Sequence, residues 1–306
     1  LLKHSTWALD LPLLDYKGVD WKRVKRTRYF CYQRFYYTYP GPIRTLRQRL
    51  MVIPPDVIGD QRVIEQHLTV TPYPAQSNQQ SDCFGNRIWE LSVAHVDREI
   101  AFECIVSIER QAPQATVILD RAQVEPFYAP SELTQADQHI VNVAQSLAQG
   151  EQNHELIAQR LSDWIHATMR YKSGVTGVGT SAAQALAIEE GLCQDYSHIM
   201  LAMCRTLGIP ARYVSGHMLA DGGSHAWVDV LVPYGENSFR AIAFDPTNKR
   251  RPDLSYAIVA TGRDYRDVAP TSGSFTAPYG GRLSFTKRAG LTLVEYDDGD
   301  VLESAH

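Results

Sequence analysis

Two spacings of apolar residues divide this chain. Between residues 22 and 110, apolar and polar positions alternate through the runs KRTRYFCYQR, RTLRQRLMVI, RVIEQHLTVTP, NRIWELSV and REIAFECIVSIER. Side chains on a strand point to opposite faces in turn, so a period of two marks strands with one buried face. The runs are broken by Pro-Gly-Pro at 40–42, Pro-Pro at 54–55 and Phe-Gly-Asn at 84–86, residues that turn the backbone. Short strands in this number predict a β-sandwich. Residues 111–131, with Pro113, Pro126 and Pro130, predict a connection between domains.

From residue 131 the period becomes helical. Ser131, Glu132 and Leu133 read as a helix start, and Leu156, Leu161 and Ile165 recur at helical spacing as far as Met169. Residues 195–207 are rich in helix formers and are stopped by Gly208, Ile209 and Pro210. Segments 212–218, 225–232, 239–244, 282–287 and 291–296 read as strands, which predicts an antiparallel sheet packed on that helix. The expected class is α+β, with an N-terminal arm at 1–21, an N-terminal β-sandwich domain at 22–112 and a core of helices on an antiparallel sheet at 113–306.

The helix places one residue of chemical interest. Cys193 falls in its first turn, where unpaired backbone N–H groups and the positive end of the dipole favour a thiolate. At about 100° per residue Cys193, Ser197, Met200, Leu201 and Cys204 share one stripe, which predicts the core-facing side. Cys193 is then either a nucleophile or a small buried hydrophobe. Downstream, His225, Trp227 and Asp229 alternate onto one face of a strand, and a turn at 233–238 leads to a second strand ending at Asp245. A register that pairs Leu231 with Phe239 sets His225 directly opposite Asp245, with Cβ atoms about 5 Å apart. The carboxylate then holds one imidazole nitrogen while the other faces the thiol. The alternative is a structural hairpin with a polar pair, and His198 and His217 are outside candidates for the base.

The strings GLCQDYSH (191–198), GIPARYVSG (208–216), SHAWVDV (224–230) and FDPTN (244–248), in this order, resemble the bacterial transglutaminase-like superfamily. The resemblance implies a transglutaminase/papain-like core with Cys193 as nucleophile, His225 as base and Asp245 as the third member of a triad. RTRYFCY at 26–32 and DCFGNR at 82–87 are similar to the β-domain that precedes such cores. GRDYRDVAPTSG at 262–273 is similar to the element that follows the third residue. Two departures are His217, where an aromatic is usual, and Leu192, where valine is commoner. The implied activity is acyl transfer through a thioester, with a peptide or protein as substrate. Water as acceptor makes a protease, peptidase or amidase, and an amine acceptor makes a transglutaminase. A binding module that keeps the fold is the remaining alternative. The backbone N–H of Cys193 is one expected oxyanion donor, with Gln184 and Tyr171 as candidates for the second.

Composition narrows these classes. A chain of 306 residues, 44% of them hydrophobic, can fill two cores. No apolar run reaches the 18 or so residues of a membrane span, so no membrane partner is expected. Asp10 and Pro12 interrupt the opening apolar stretch, a poor match to a signal peptide. The five cysteines, Cys31, Cys83, Cys104, Cys193 and Cys204, are odd in number and irregularly spaced, which predicts free thiols in a reducing, cytoplasmic setting. Residues 17–50 carry ten basic residues against Asp20 alone, interleaved with Tyr29, Tyr32, Tyr36, Tyr37 and Tyr39. That resembles a nucleic-acid surface, yet the chain totals −4 and alternating cations also suit a half-solvated sheet, so no nucleic acid is expected. His139, His154 and His166 lack helical zinc-site spacing, and no HExxH, paired CxxC or phosphate loop occurs, so neither metal nor cofactor is expected.

Overall fold

The computed structural model describes residues 6–73, 75–218 and 224–304; the first five residues of the expected arm lie outside them. A short helix α1 (Thr6–Asp10) leads to β1 (Val24–Thr38), β2 (Ile43–Leu50), β3 (Val57–Ile58), β4 (Gln61–Thr71), β5 (Gln76–Ser81), β6 (Arg87–Val96) and β7 (Glu99–Gln111). The alternation seen in sequence sets their faces. On β2, Ile43, Leu46 and Leu50 are buried while Arg44 and Arg47 stand in solvent. Those apolar residues share one core with Leu91 and Val93 of β6 and with Phe102, Cys104 and Val106 of β7, which is the interior of a sandwich. Five of the ten basic residues of the positive run are matched by acids: Arg23 pairs with Asp297, Lys25 and Arg26 with Glu295, Arg28 with Glu109, and Arg34 with Glu103.

The second layer begins inside the expected connection. There β8 (Ile118–Asp120) is followed by α2 (Arg121–Val124), whose first turn is capped by Asp120. The helix start expected at Ser131 is a single 3-10 turn, Glu132–Thr134, that Ser131 caps, and the longer helix α3 (Gln138–Ala148) starts separately at Asp137, whose Oδ1 accepts from the Ile140 N–H at 2.9 Å. Next come α4 (His154–Thr168), β9 (Arg170–Tyr171), α5 (Ala182–Ile188), β10 (Glu190–Gly191) and α6 (Cys193–Thr206). Four longer strands follow: β11 (Ala211–Met218), β12 (Ser224–Pro233), β13 (Ser238–Phe244) and β14 (Tyr256–Gly262). Among the described residues these four and β8 form a sheet in the order β14-β11-β12-β13-β8, antiparallel throughout.

Helix α6 is the axis of this half. It lies on β12 and β11 and is covered by α3, α4 and α5. The expected single stripe is therefore too narrow: every residue from Asp195 to Arg205 is buried, as a helix enclosed on all sides requires. Ala226, Val228 and Val230 of β12 join its core, whereas Trp227 and Tyr256 pack together on the other side of the sheet.

The C-terminal strands go elsewhere. β15 (Thr271–Thr276) pairs with β2, β16 (Arg282–Tyr296) pairs with β1 along its whole length, and β17 (Val301–Glu303) closes the edge of β16. The sandwich thus has sheets ordered β17-β16-β1-β7-β4-β3 and β15-β2-β6-β5. Two corrections follow. Segments 282–287 and 291–296 are one strand, and it belongs to the sandwich, not to the sheet on α6. A core running from 113 to 306 does not describe the sheets, because the chain returns to the N-terminal domain from Thr271. Alternation specifies a strand and its buried face but not its partner. β1, flanked on one side by β7, offered the long edge that β16 fills.

Candidate active site

Local geometry puts Cys193 at the start of α6. The carboxylate of Asp195 folds back, and its Oδ2 accepts from the Leu192 N–H and from Thr176 Oγ1, both at 2.7 Å. This fixes the backbone N–H of Leu192, the residue that caps the helix. Gly191 makes room for it, since a Cβ there would lie 2.5 Å from Asp195 Oδ2. At the far end Gly208 takes φ +69°, and the Ile209 N–H returns to the Cys204 carbonyl at 2.9 Å. Gln194 points the other way, its Nε2 donating to the carbonyls of Gly177 and Val178 at 3.4 Å in the glycine-rich loop beside the helix start. Cys193 is half-buried, the accessible thiol of this helix, while Cys204 is wholly enclosed.

The hairpin β12–β13 brings His225 to Asp245, in a register that differs from expectation. Leu231 pairs with Ala241 and Pro233 with Phe239, a displacement of two residues. The turn sets it: the Tyr234 N–H donates to the Ser238 carbonyl at 2.8 Å, with Gly235 at φ +80°. A shift of two preserves the face, so Asp245, just beyond β13 in a bridge with Arg250, reaches His225 diagonally and not from directly opposite. His225 Nε2 lies 2.8 Å from Asp245 Oδ2. Cys193 is near enough to the imidazole to help raise its affinity for a proton. With Nε2 committed to the carboxylate, Nδ1 is the nitrogen left for sulfur.

Asp245 is completely buried, and each of its oxygens is satisfied. Oδ2 accepts from His225, from Asn248 Nδ2 at 2.8 Å and from the Tyr256 hydroxyl at 2.6 Å. Oδ1 accepts from the backbone N–H groups of Thr247 and Asn248 at 3.0 and 3.1 Å. Burial works against the charge, but His225 and these donors outweigh it and hold the carboxyl below its usual range. For His225, burial opposes the imidazolium; the hydrogen bond and charge of Asp245, together with Cys193, overcome it and raise the group to about 10. Trp227 stacks on the imidazole at 6.2 Å, and Tyr256 meets Trp227 edge-on at 5.3 Å. Asn248 and Trp227 sit inside the motif strings, whereas nothing in the sequence marked Tyr256.

The other candidates are engaged elsewhere. His198 Nε2 accepts from the Tyr265 N–H at 3.2 Å, and burial lowers it to about 4. His217 lies between Cys31, 3.5 Å from its Nε2, and Lys287, which donates to its Nδ1 at 2.8 Å; burial and that cation hold it well below the usual imidazole range. Gln184 is spent on the cap of α5, accepting from the Ser181 N–H at 3.0 Å. Tyr171 is more than half exposed. Among the described residues no group of three His, Cys, Asp or Glu could hold a metal ion. A cavity of about 540 Å³ opens between the sandwich and the sheet, walled by Asp60, Arg110, Trp227, Asp229, Arg251 and Tyr256. It contains none of Cys193, His225 or Asp245 and lies behind the site.

Comparison with known proteins covers both halves. Residues 141–246 match the transglutaminase-like superfamily, and residues 31–109 match the bacterial transglutaminase-like N-terminal region. An uncharacterized protein of Mycobacterium tuberculosis is 26% identical over 276 residues, covering 80% of this chain and 87% of that protein. One from Mycobacterium leprae is 27% identical over 208 residues, 61% of this chain and 71% of its own length. In fold the chain is similar to a crystal structure from Cytophaga hutchinsonii described as a "Putative Cysteine Protease". The TM-score is 0.72 and the identity 22%, over 93% of this chain and 95% of that one.

Proposed function

This chain belongs to the transglutaminase-like superfamily, and from that premise we propose that it is a cysteine hydrolase that cleaves amide bonds of a peptide or protein through a thioester. The observation that carries the reading is the 2.8 Å contact of His225 Nε2 with the buried Asp245 carboxylate, with the half-buried Cys193 at the start of α6 near enough to raise the proton affinity of the same imidazole. Cys193 sulfur attacks the carbonyl carbon. His225 carries the thiol proton and delivers it to the leaving amine, and Asp245 keeps the imidazole proton on Nε2 so that Nδ1 faces sulfur. The backbone N–H of Cys193, first in the helix, supports the oxyanion. Water then displaces the thiol and regenerates the triad.

Hydrolysis is chosen over amine transfer on the likeness in fold to the Cytophaga hutchinsonii protein described as a "Putative Cysteine Protease". The matched charges on β1 argue against nucleic acid as a partner. The test is incubation of the purified chain with a library of peptide amides, with and without an added primary amine, followed by mass spectrometry. Free acids and a trapped acyl adduct on Cys193 are expected, both lost in Cys193→Ala. Amine adducts in place of acids would reassign it as a transglutaminase, and no adduct with any substrate would leave a fold without the activity.

A further inference from the structure

β14 is an outer strand: β11 pairs with one edge, and among the described residues no strand covers the other. Such an edge leaves N–H and C=O groups without ladder partners. Here three side chains of the N-terminal β-domain stand in for the missing strand. Gln61 donates from Nε2 to the Ile258 carbonyl at 2.7 Å and accepts from the Ile258 N–H at 2.8 Å. Asn86 makes the same pair with Thr261 at 2.7 and 2.8 Å. Arg110 Nη1 donates to the carbonyls of Tyr256 and Asp253 at 2.6 and 2.9 Å. The register shift opposite Ser215 and Gly216 accounts for the spacing, since an extra residue switches the edge presented from 256 and 258 to 261. Gln61, Asn86 and Arg110 are all buried, and Arg110 is gripped by both oxygens of Asp60 at 2.8 and 2.9 Å.

The residue at the start of this strand is Tyr256, whose hydroxyl reaches Asp245 Oδ2 at 2.6 Å. We infer that Arg110 is a positioning residue for the site: from the other domain it fixes the backbone of Tyr256 and thereby keeps the Tyr256 hydroxyl on the Asp245 carboxylate. The inference rests on the triad reading of Cys193, His225 and Asp245. A hydroxyl bond weakens steeply with distance and angle, so a strand released by about 1 Å would lose it. The β-domain then acts on the chemistry and is more than a cover for the sheet edge.

The experiment is the rate of Cys193 alkylation by iodoacetamide against pH, in the full chain with exposed Cys83 changed to Ser. The variants are Asp245→Asn, Tyr256→Phe, Arg110→Met and the Tyr256→Phe/Arg110→Met double. Tyr256→Phe and Arg110→Met should each slow labelling at pH 7 by about ten-fold, the worth of one bond to a charged group. Both should move the pH profile in the direction of Asp245→Asn. In the Tyr256→Phe background, Arg110→Met should add little, because both act through one bond. If Asp245→Asn itself leaves the profile unmoved, the triad reading falls and this inference with it. If Asp245→Asn moves it while Tyr256→Phe and Arg110→Met keep the wild-type profile, the inference alone is overturned and Arg110 only joins domains. Should Arg110→Met not fold, Arg110→Lys takes its place with a shift in the same direction expected, because it keeps a cation for Asp60 but gives up the fork that reaches the Asp253 and Tyr256 carbonyls at the same time.

Discussion

Replacing Asp245 with Asn changes one oxygen for an amide and should disable the site without emptying it. The carboxylate accepts five hydrogen bonds, two at Oδ1 from backbone N–H groups and three at Oδ2 from His225, Asn248 and Tyr256. If the remaining oxygen keeps the two backbone donors, the new NH2 group faces three donors. The Tyr256 hydroxyl can rotate and the Asn248 amide can flip, but His225 must move its proton to Nδ1, the nitrogen left for sulfur. The base is then in the wrong tautomer, and turnover should fall by ~10³ to 10⁴, roughly 4 to 5 kcal/mol of barrier. Stability falls as well. His225 moves from 6.5 to about 10 in the fold, which favours the imidazolium by roughly 5 kcal/mol, shared between Asp245 and Cys193. Loss of one partner of a buried pair costs about 3 to 5 kcal/mol. Because the folded value is raised, this stabilisation is complete below pH 6.5 and fades as pH climbs toward 10. The assay is urea unfolding of both proteins at pH 5.5, 8 and 10, beside single-turnover labelling of Cys193. The gap between wild type and Asp245→Asn should be widest at pH 5.5 and nearly closed at pH 10. A gap that stays constant over that range, or a wild-type labelling rate in the variant, refutes the coupling of His225 to Asp245.

Three further outcomes are expected. Among the thiols Cys193 should be alkylated first once Cys83 is replaced. Cys31, Cys104 and Cys204 are enclosed, and burial pushes them up, Cys31 to about 11 and Cys204 to about 12; equal labelling of Cys204 by mass spectrometry would sink the assignment. Gly191→Ala should cost about 1 to 2 kcal/mol and slow Cys193 labelling, because the added Cβ displaces the Asp195 carboxylate that caps α6; an unchanged melting temperature would show that the cap is not needed. His198 and His217 are held neutral in the fold, His198 to about 4, so the unfolded chain takes up more protons below pH 6.5 and stability should fall on acidification. His198→Gln should flatten that slope between pH 6.5 and 5, and an identical slope in the variant would count against burial as its cause.

Much of the site was written in short stretches of sequence because its determinants are local. The helix that begins at Cys193 is fixed by Gly191, Asp195 and Gly208, all within one or two turns of the ends they shape. The alternation from His225 onward determined which face the imidazole occupies, and parity alone was enough to bring Asp245 to it. The register was not legible, since the turn at 234–238 moved it by two residues; the pair survived only because an even shift keeps the same face. Longer-range pairing was out of reach for the same reason. Period two in residues 282–296 announced a strand, yet the open edge of β1, some 250 residues earlier in the chain, decided where it went. The enclosure of α6 depended on three helices closing over the side that faced away from the sheet. The support of Asp245 by Tyr256, and of Tyr256 by Arg110, exists only where two domains meet, where a tyrosine, an arginine and an aspartate with no spacing in common complete one another's hydrogen bonds.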